Sequence, residues 1–120
     1  MILIKGRTNS LPLSVRARVE VYVPDQPNLS YQDLLRTFTD EFTTVFGGCT
    51  TISGLDGKYL SKFGQIISDR ITLVYTDTPF DFQENLGPLS KYTDKIRDSA
   101  FKALEEEAIL VAVWPVHHSI

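Results

Sequence analysis

Val19-Glu20-Val21-Tyr22-Val23-Pro24-Asp25-Gln26-Pro27 and Ile71-Thr72-Leu73-Val74-Tyr75-Thr76-Asp77-Thr78-Pro79 are two copies of one local pattern. Each is an apolar run with strand character that ends in Asp-x-Pro, and each is followed by a segment of helical periodicity. Because proline cannot donate to a strand ladder, each Asp-x-Pro is read as the corner where a strand stops. A chain that runs strand, helix, strand twice within 120 residues has few ways to bury its apolar faces.

Upstream of the first corner the alternation is strict. Val15, Ala17, Val19, Val21 and Val23 fall on one face, and Arg16, Arg18, Glu20 and Tyr22 on the other. A period of two with one apolar side is the pattern of a half-buried strand. After the corner, Ser30 followed by Asp33 resembles a capping arrangement. Leu34, Leu35, Phe38, Phe42, Val45 and Phe46 then recur at three and four positions, giving a helix from about Tyr31 to Phe46. Gly47-Gly48 ends it, since glycine enters the left-handed region without steric cost.

Cys49 to Ser53 reads as a strand, Gly54-Leu55-Asp56-Gly57 as a tight turn or bulge, and Gly64-Gln65 as another turn. Ile71 to Thr76 is the third strand. Pro88 suits the first turn of a second helix that carries Leu89, Tyr92, Ile96, Ala100, Ala103 and Leu104 on one side to about Glu107. Ile109 to Trp114 is the last strand. The order β-α-β-β-α-β is the ferredoxin-like α+β plan, with both helices on one face of a four-stranded antiparallel sheet. Residues 1–14 read as an N-terminal arm and 15–120 as a single domain.

Glu41-Phe42-Thr43, Phe46-Gly47-Gly48, Thr51, Gly54-Leu55-Asp56-Gly57-Lys58-Tyr59 and Gly64-Gln65-Ile66-Ile67 together resemble a family of small bacterial α+β domains of unknown function. The resemblance implies the same plan and transfers no active site.

Composition narrows the function classes. A net charge of −3 and the absence of any Lys/Arg run disfavour a nucleic-acid surface. No stretch approaches the length of a membrane span. The single cysteine, Cys49, fits a reducing, cytoplasmic setting and is read as a small buried hydrophobe. It follows a helix C-terminus, whose partial negative charge opposes a thiolate. Adjacent His117 and His118 point to opposite faces of a strand, so no metal site is expected, and no cofactor is implied. Glu105-Glu106-Glu107 breaks the helix-dipole preference and is read as a solvated run.

In the ferredoxin-like plan the first and third strands are central and antiparallel. Asp25 and Asp77 then lie at opposite ends of the sheet, about 15–20 Å apart for strands of ordinary length. A two-carboxylate mechanism needs about 5–10 Å. The same layout brings Asp77, His117, His118 and Arg16 to one edge. On the sheet face away from the helices it places Arg16, Arg18, Glu20, Tyr22, Thr72, Val74, Thr76, Leu110, Ala112 and Trp114, and it turns Tyr75 toward the helices. Tyr22, Val74, Leu110 and Trp114 are therefore the expected interface of a homodimer. The leading reading is a non-catalytic binding module for a protein or small-molecule ligand. The alternative is a cofactor-free enzyme on a dimeric α/β-barrel scaffold, with Tyr59, Asp77, His117 and Arg16 as its acid-base or anion-binding groups.

Overall fold

The computed structural model describes residues 13–27, 29–104 and 109–119. The elements are β1 (Leu13–Pro24), α1 (Leu29–Phe46), β2 (Thr50–Leu60), β3 (Ile66–Asp81), α2 (Leu86–Leu104) and β4 (Leu110–Ser119). The strands form one antiparallel sheet in the order β2-β3-β1-β4. This is the ferredoxin-like arrangement that the two strand-helix-strand copies require. Of the arm read at residues 1–14, residues 1–12 lie outside the described residues, as does the Glu105–Glu107 run, while Leu13 and Ser14 belong to β1.

β1 behaves as its alternation dictates. Ala17, Val19, Val21 and Val23 are sealed under the helices. From α1 they meet Tyr31, Leu34, Phe38 and Phe42, and from α2 Leu89, Ile96, Ala100 and Leu104. Val45, expected in the α1 stripe, is exposed. Phe46 packs edge-on against Tyr92 at 5.6 Å, and the Tyr92 hydroxyl donates to Glu41 at 2.5 Å, so the helices are joined by ring and hydrogen bond together. Gly47 takes φ 94° and its N–H caps the Thr43 carbonyl at 3.0 Å, the left-handed helix stop that Gly-Gly predicts. Ser30 lies inside α1, which begins at Leu29.

The second Asp-x-Pro is not a corner. β3 runs through Asp77, Thr78 and Pro79 to Asp81. The reason is a bulge: β1 advances from Arg16 to Arg18 while β3 covers Asp81 to Asp77. A bulge is one of the few places where a strand tolerates proline. Of turn and bulge, Gly54-Leu55-Asp56-Gly57 is the bulge. β2 passes through it with a register shift between Ile52 and Leu55, and Gly54 at φ 75° supplies the irregular residue. The reversal comes at 61–65, where the Ser61 N–H donates to the Gln65 carbonyl at 2.7 Å.

β3 presents to the helices the side opposite to the one its hydropathy suggests. Val21 pairs with Val74, Val23 with Thr72 and Val19 with Thr76, so all three β3 residues face the helices. Val74 is 0 % exposed and belongs to the core, not to the uncovered face. Tyr75 lies on the uncovered face instead. Three threonines occupy the core side because each hydroxyl is satisfied. Thr72 donates to Asp25 at 2.7 Å, Thr76 to the Gly48 carbonyl at 2.6 Å, and Thr78 to the Ala17 carbonyl at 2.8 Å. A buried hydroxyl with a partner costs little.

Candidate functional site: the uncovered face of the sheet

Register fixes what the helix-free face carries. Arg18 stands between Asp77 and Trp114, Glu20 between Tyr75 and Ala112, and Tyr22 between Leu73 and Leu110. Ile71 follows on β3, and Leu55, Gly57 and Tyr59 continue the face onto β2. The more apolar residues of β3, Ile71, Leu73 and Tyr75, are thus on the side without helices. Leu110 and Trp114 are exposed there.

One end of the face is an ion cluster. The Arg18 guanidinium donates to both oxygens of Asp77, Nε to Oδ1 at 2.6 Å and Nη2 to Oδ2 at 2.9 Å. It also lies over the Tyr75 ring at 4.3 Å and the Trp114 ring at 5.2 Å. The planar fork of arginine suits both contacts at once. The Arg18 hydrogen bonds hold the Asp77 carboxyl below its ordinary range, against the opposing effect of burial. Arg18 is raised in turn, first by its bond to Asp77. His118 Nε2 reaches within 3.3 Å of Asp77 Oδ2.

The other end is a groove of about 180 Å³ lined by Tyr22, Pro24, Gly57, Lys58, Tyr59, Asp69, Ile71 and Leu110. Gly57 makes it possible: a Cβ there would lie 2.4 Å from Ile71 Cδ1, so Ile71 lies flat across β2. The Tyr22 hydroxyl donates to Glu20 Oε1 at 3.0 Å. Burial, then that bond, pushes the Tyr22 phenol above its usual value. Two phenols and the Asp69 carboxylate therefore border an apolar floor, a combination that takes a flat ring bearing polar groups.

A second hollow, about 350 Å³, lies between Gly47-Gly48-Cys49 and Tyr75-Thr76-Asp77. Cys49 is half-buried there, its thiol 3.8 Å from the Thr39 carbonyl and 3.6 Å from the Thr43 hydroxyl.

Of the sequence candidates, Asp77, His118 and Arg16 come to one edge. Arg16 adds a small favourable charge effect on Asp77. His117 pairs with Val15 and falls on the opposite side of β4 from His118. Tyr59 is remote: it pairs with Ile67, ten positions along β3 from Asp77, or about 33 Å at ordinary strand rise. Asp25 and Asp77 are separated as the plan demands. Asp25 closes the other end of the sheet, accepting hydrogen bonds from Tyr31 and Thr72, with its own N–H on the Arg70 carbonyl at 2.8 Å. Arg18, Glu20 and Asp69 were not singled out from the sequence. Their signal was register: the first two oppose Asp77 and Tyr75 once β1 and β3 are aligned.

The architecture defines a ferredoxin-like α+β domain. No protein-family model matches the chain, and no curated protein matches it. Solved structures of the same fold do. A phage SAM lyase in complex with S-methyl-5'-thioadenosine is 12% identical, with 88% of each chain covered and a TM-score of 0.56. CutA from Synechococcus elongatus is 13% identical over 92% of this chain and 87% of that one, with a TM-score of 0.54. The divalent cation tolerance protein of Thermus thermophilus is 13% identical over 85% and 84%, with a TM-score of 0.52. These likenesses establish the fold. No described helix is long and apolar enough to cross a membrane.

Proposed function

We propose that this chain is a self-associating small-molecule-binding module, with its ligand held in the Tyr22–Tyr59–Asp69 groove and a second copy closing over the helix-free face. One observation carries the reading. A groove bordered by two phenols and a carboxylate opens on the most apolar uncovered surface of the sheet. Its volume of about 180 Å³ is below the roughly 300–1,000 Å³ of a complete ligand pocket. A second protomer supplies the missing wall, and a homodimer is the smallest assembly that does so. The reducing cell interior suits its single cysteine.

The ligand class is a nucleoside. The tyrosine rings offer stacking surface, and Asp69 accepts hydrogen bonds from sugar hydroxyls or faces a cationic sulfur. That a phage SAM lyase of the same fold holds S-methyl-5'-thioadenosine supports this choice. A second reading, an enzyme acting on SAM, draws on the same groove, where the Tyr59 phenol and the Asp69 carboxylate are the acid-base pair.

Titration calorimetry with S-methyl-5'-thioadenosine and with SAM tests both. Binding that weakens about tenfold in Tyr59→Phe or Asp69→Asn supports the groove, since a hydrogen bond to ligand is worth about 1–1.5 kcal/mol. Absence of heat with either compound overturns the ligand class. Chromatographic loss of SAM on incubation selects the enzyme; SAM recovered intact selects the binding module.

A further inference from the structure

We propose that the tip of the β2–β3 hairpin is an arm that lies across β4 of a second copy of this chain, at Leu110 and Trp114. The proposal rests on the self-association reading above and names the element that performs it.

The hairpin outgrows the domain. β3 has 16 residues, which at about 3.3 Å each span some 53 Å. The molecule's longest dimension is 53 Å against 30 and 25 Å for the others. Its radius of gyration of 17.1 Å exceeds the roughly 14 Å of a compact chain this long. The excess is a two-stranded ribbon, and an isolated ribbon is marginal in water unless something packs on it.

The tip is apolar where it should be polar. Leu60 is 69% exposed, Phe63 79% and Ile66 73%. Leu60 and Ile66 are a register pair, so both side chains project from the same side. That side continues the helix-covered side of the sheet, yet neither residue belongs to the core that the helices cover. Lysine is the usual device for blunting an exposed hairpin, and Lys62 lies over the Phe63 ring at 5.3 Å, yet Phe63 remains 79% exposed.

Area and charge select a second copy as occupant. Large side chains present about 150–200 Å² each, so the three tip residues leave roughly 400 Å² of apolar surface in water. Leu110 and Trp114, 58% and 43% exposed, offer roughly 200 Å² more. Each copy gives one tip and receives another, so roughly 600 Å² of apolar surface per chain is covered, most of the ~800 Å² per partner of a standard stable interface. Lys58 to Ile66 holds two lysines and no acid, in a chain whose net charge is −3. A tip at +2 therefore meets a remainder at −5. Because the tip of one copy meets a different surface on the next, the contact is heterologous, and reciprocal exchange or a closed ring satisfies it.

The test compares two variants of the full chain by light scattering at about 50 μM, with circular dichroism to confirm the fold. Leu60→Ser/Phe63→Ser/Ile66→Ser removes only exposed groups and is expected to leave the fold intact while reducing the mass to that of one chain. Retention of the wild-type mass by this variant overturns the arm; if Trp114→Lys still dissociates, self-association through the open face stands without it. A wild-type chain that is itself monomeric removes both. Should the triple variant fail to fold, Phe63→Cys/Leu110→Cys in a Cys49→Ser background decides. The two sites lie well over 20 Å apart within one chain by strand rise, so oxidation must give covalent multimers on a denaturing gel. Monomers alone contradict the proposal.

Discussion

Arg18 and Asp77 face each other across the β1–β3 ladder and share two hydrogen bonds, at 2.6 and 2.9 Å. The pair is only about one-fifth exposed, and Tyr75 and Trp114 lie under the same guanidinium. It is the fixed point of the uncovered face: a charge pair whose arginine also positions two aromatic rings. Asp77→Asn should cost about 2 kcal/mol, in the range for hydrogen bonds to charged groups, measured by urea unfolding. Arg18→Lys should lose a similar amount, because an ammonium cannot reproduce the fork or the ring contacts.

Acid pH acts on the same pair. Arg18 holds the Asp77 carboxyl below its unfolded value, so the native state prefers the ionised form. The resulting stability is present above about pH 4, the unfolded carboxyl value, and is lost as pH falls through the lower folded value. Asp77→Asn should flatten this part of the acid unfolding curve. An unchanged curve would remove Asp77 as its source.

At alkaline pH two phenols act in the same direction, Tyr92, raised by burial and then Glu41, and Tyr31, whose loss comes first. Burial, then its bond to Asp25, pushes the Tyr31 phenol up to about 12. The folded state therefore prefers the neutral phenol. Its contribution is complete below about pH 10, the unfolded value, and is lost as pH rises from there through about 12. Tyr31→Phe should remove the part of the alkaline loss between about pH 10 and 12, leave that of Tyr92, and cost about 1 kcal/mol at neutral pH. The Thr72–Asp25 hydrogen bond of 2.7 Å remains to satisfy both partners.

The two sides of β3 should respond differently to truncation. Val74→Ala empties a fully buried site and should cost about 2 kcal/mol at any protein concentration. Leu73→Ala, on the uncovered face, should act chiefly on association, so that its effect on apparent stability grows with concentration. Equal, concentration-independent losses for both would mean the uncovered face is not an interface.

These two residues also show how far the sequence could be read. In β1, valines alternate with Arg, Glu and Tyr, so the buried side was unambiguous. In β3, Ile71, Leu73 and Tyr75 alternate with Thr72, Val74 and Thr76, and both sets suit a strand. Hydropathy favours the first set for the core, and Pro79 suggests an early end. What decides is pairing: Val21 opposite Val74 forces the threonines inward. Their acceptors, Asp25 and the carbonyls of Gly48 and Ala17, come from distant segments that no local pattern reveals. The element order was legible because it depends only on periodicity and stops. The Arg18–Asp77 pair and the Tyr22–Asp69 groove were not, because each depends on register. Between the two readings open for the glycines of β2, turn or bulge, composition could not choose: Gly54 serves a bulge and Gly57 a close side-chain approach.

Whether a second copy covers the helix-free face is decided by the mass of the full chain in solution. Light scattering at about 50 μM should give 27 kDa or a higher multiple of the 13.5 kDa chain, as a sheet face covered by another copy requires. A mass of 13.5 kDa at that concentration would leave Leu110, Trp114 and the groove open to water and contradict the account.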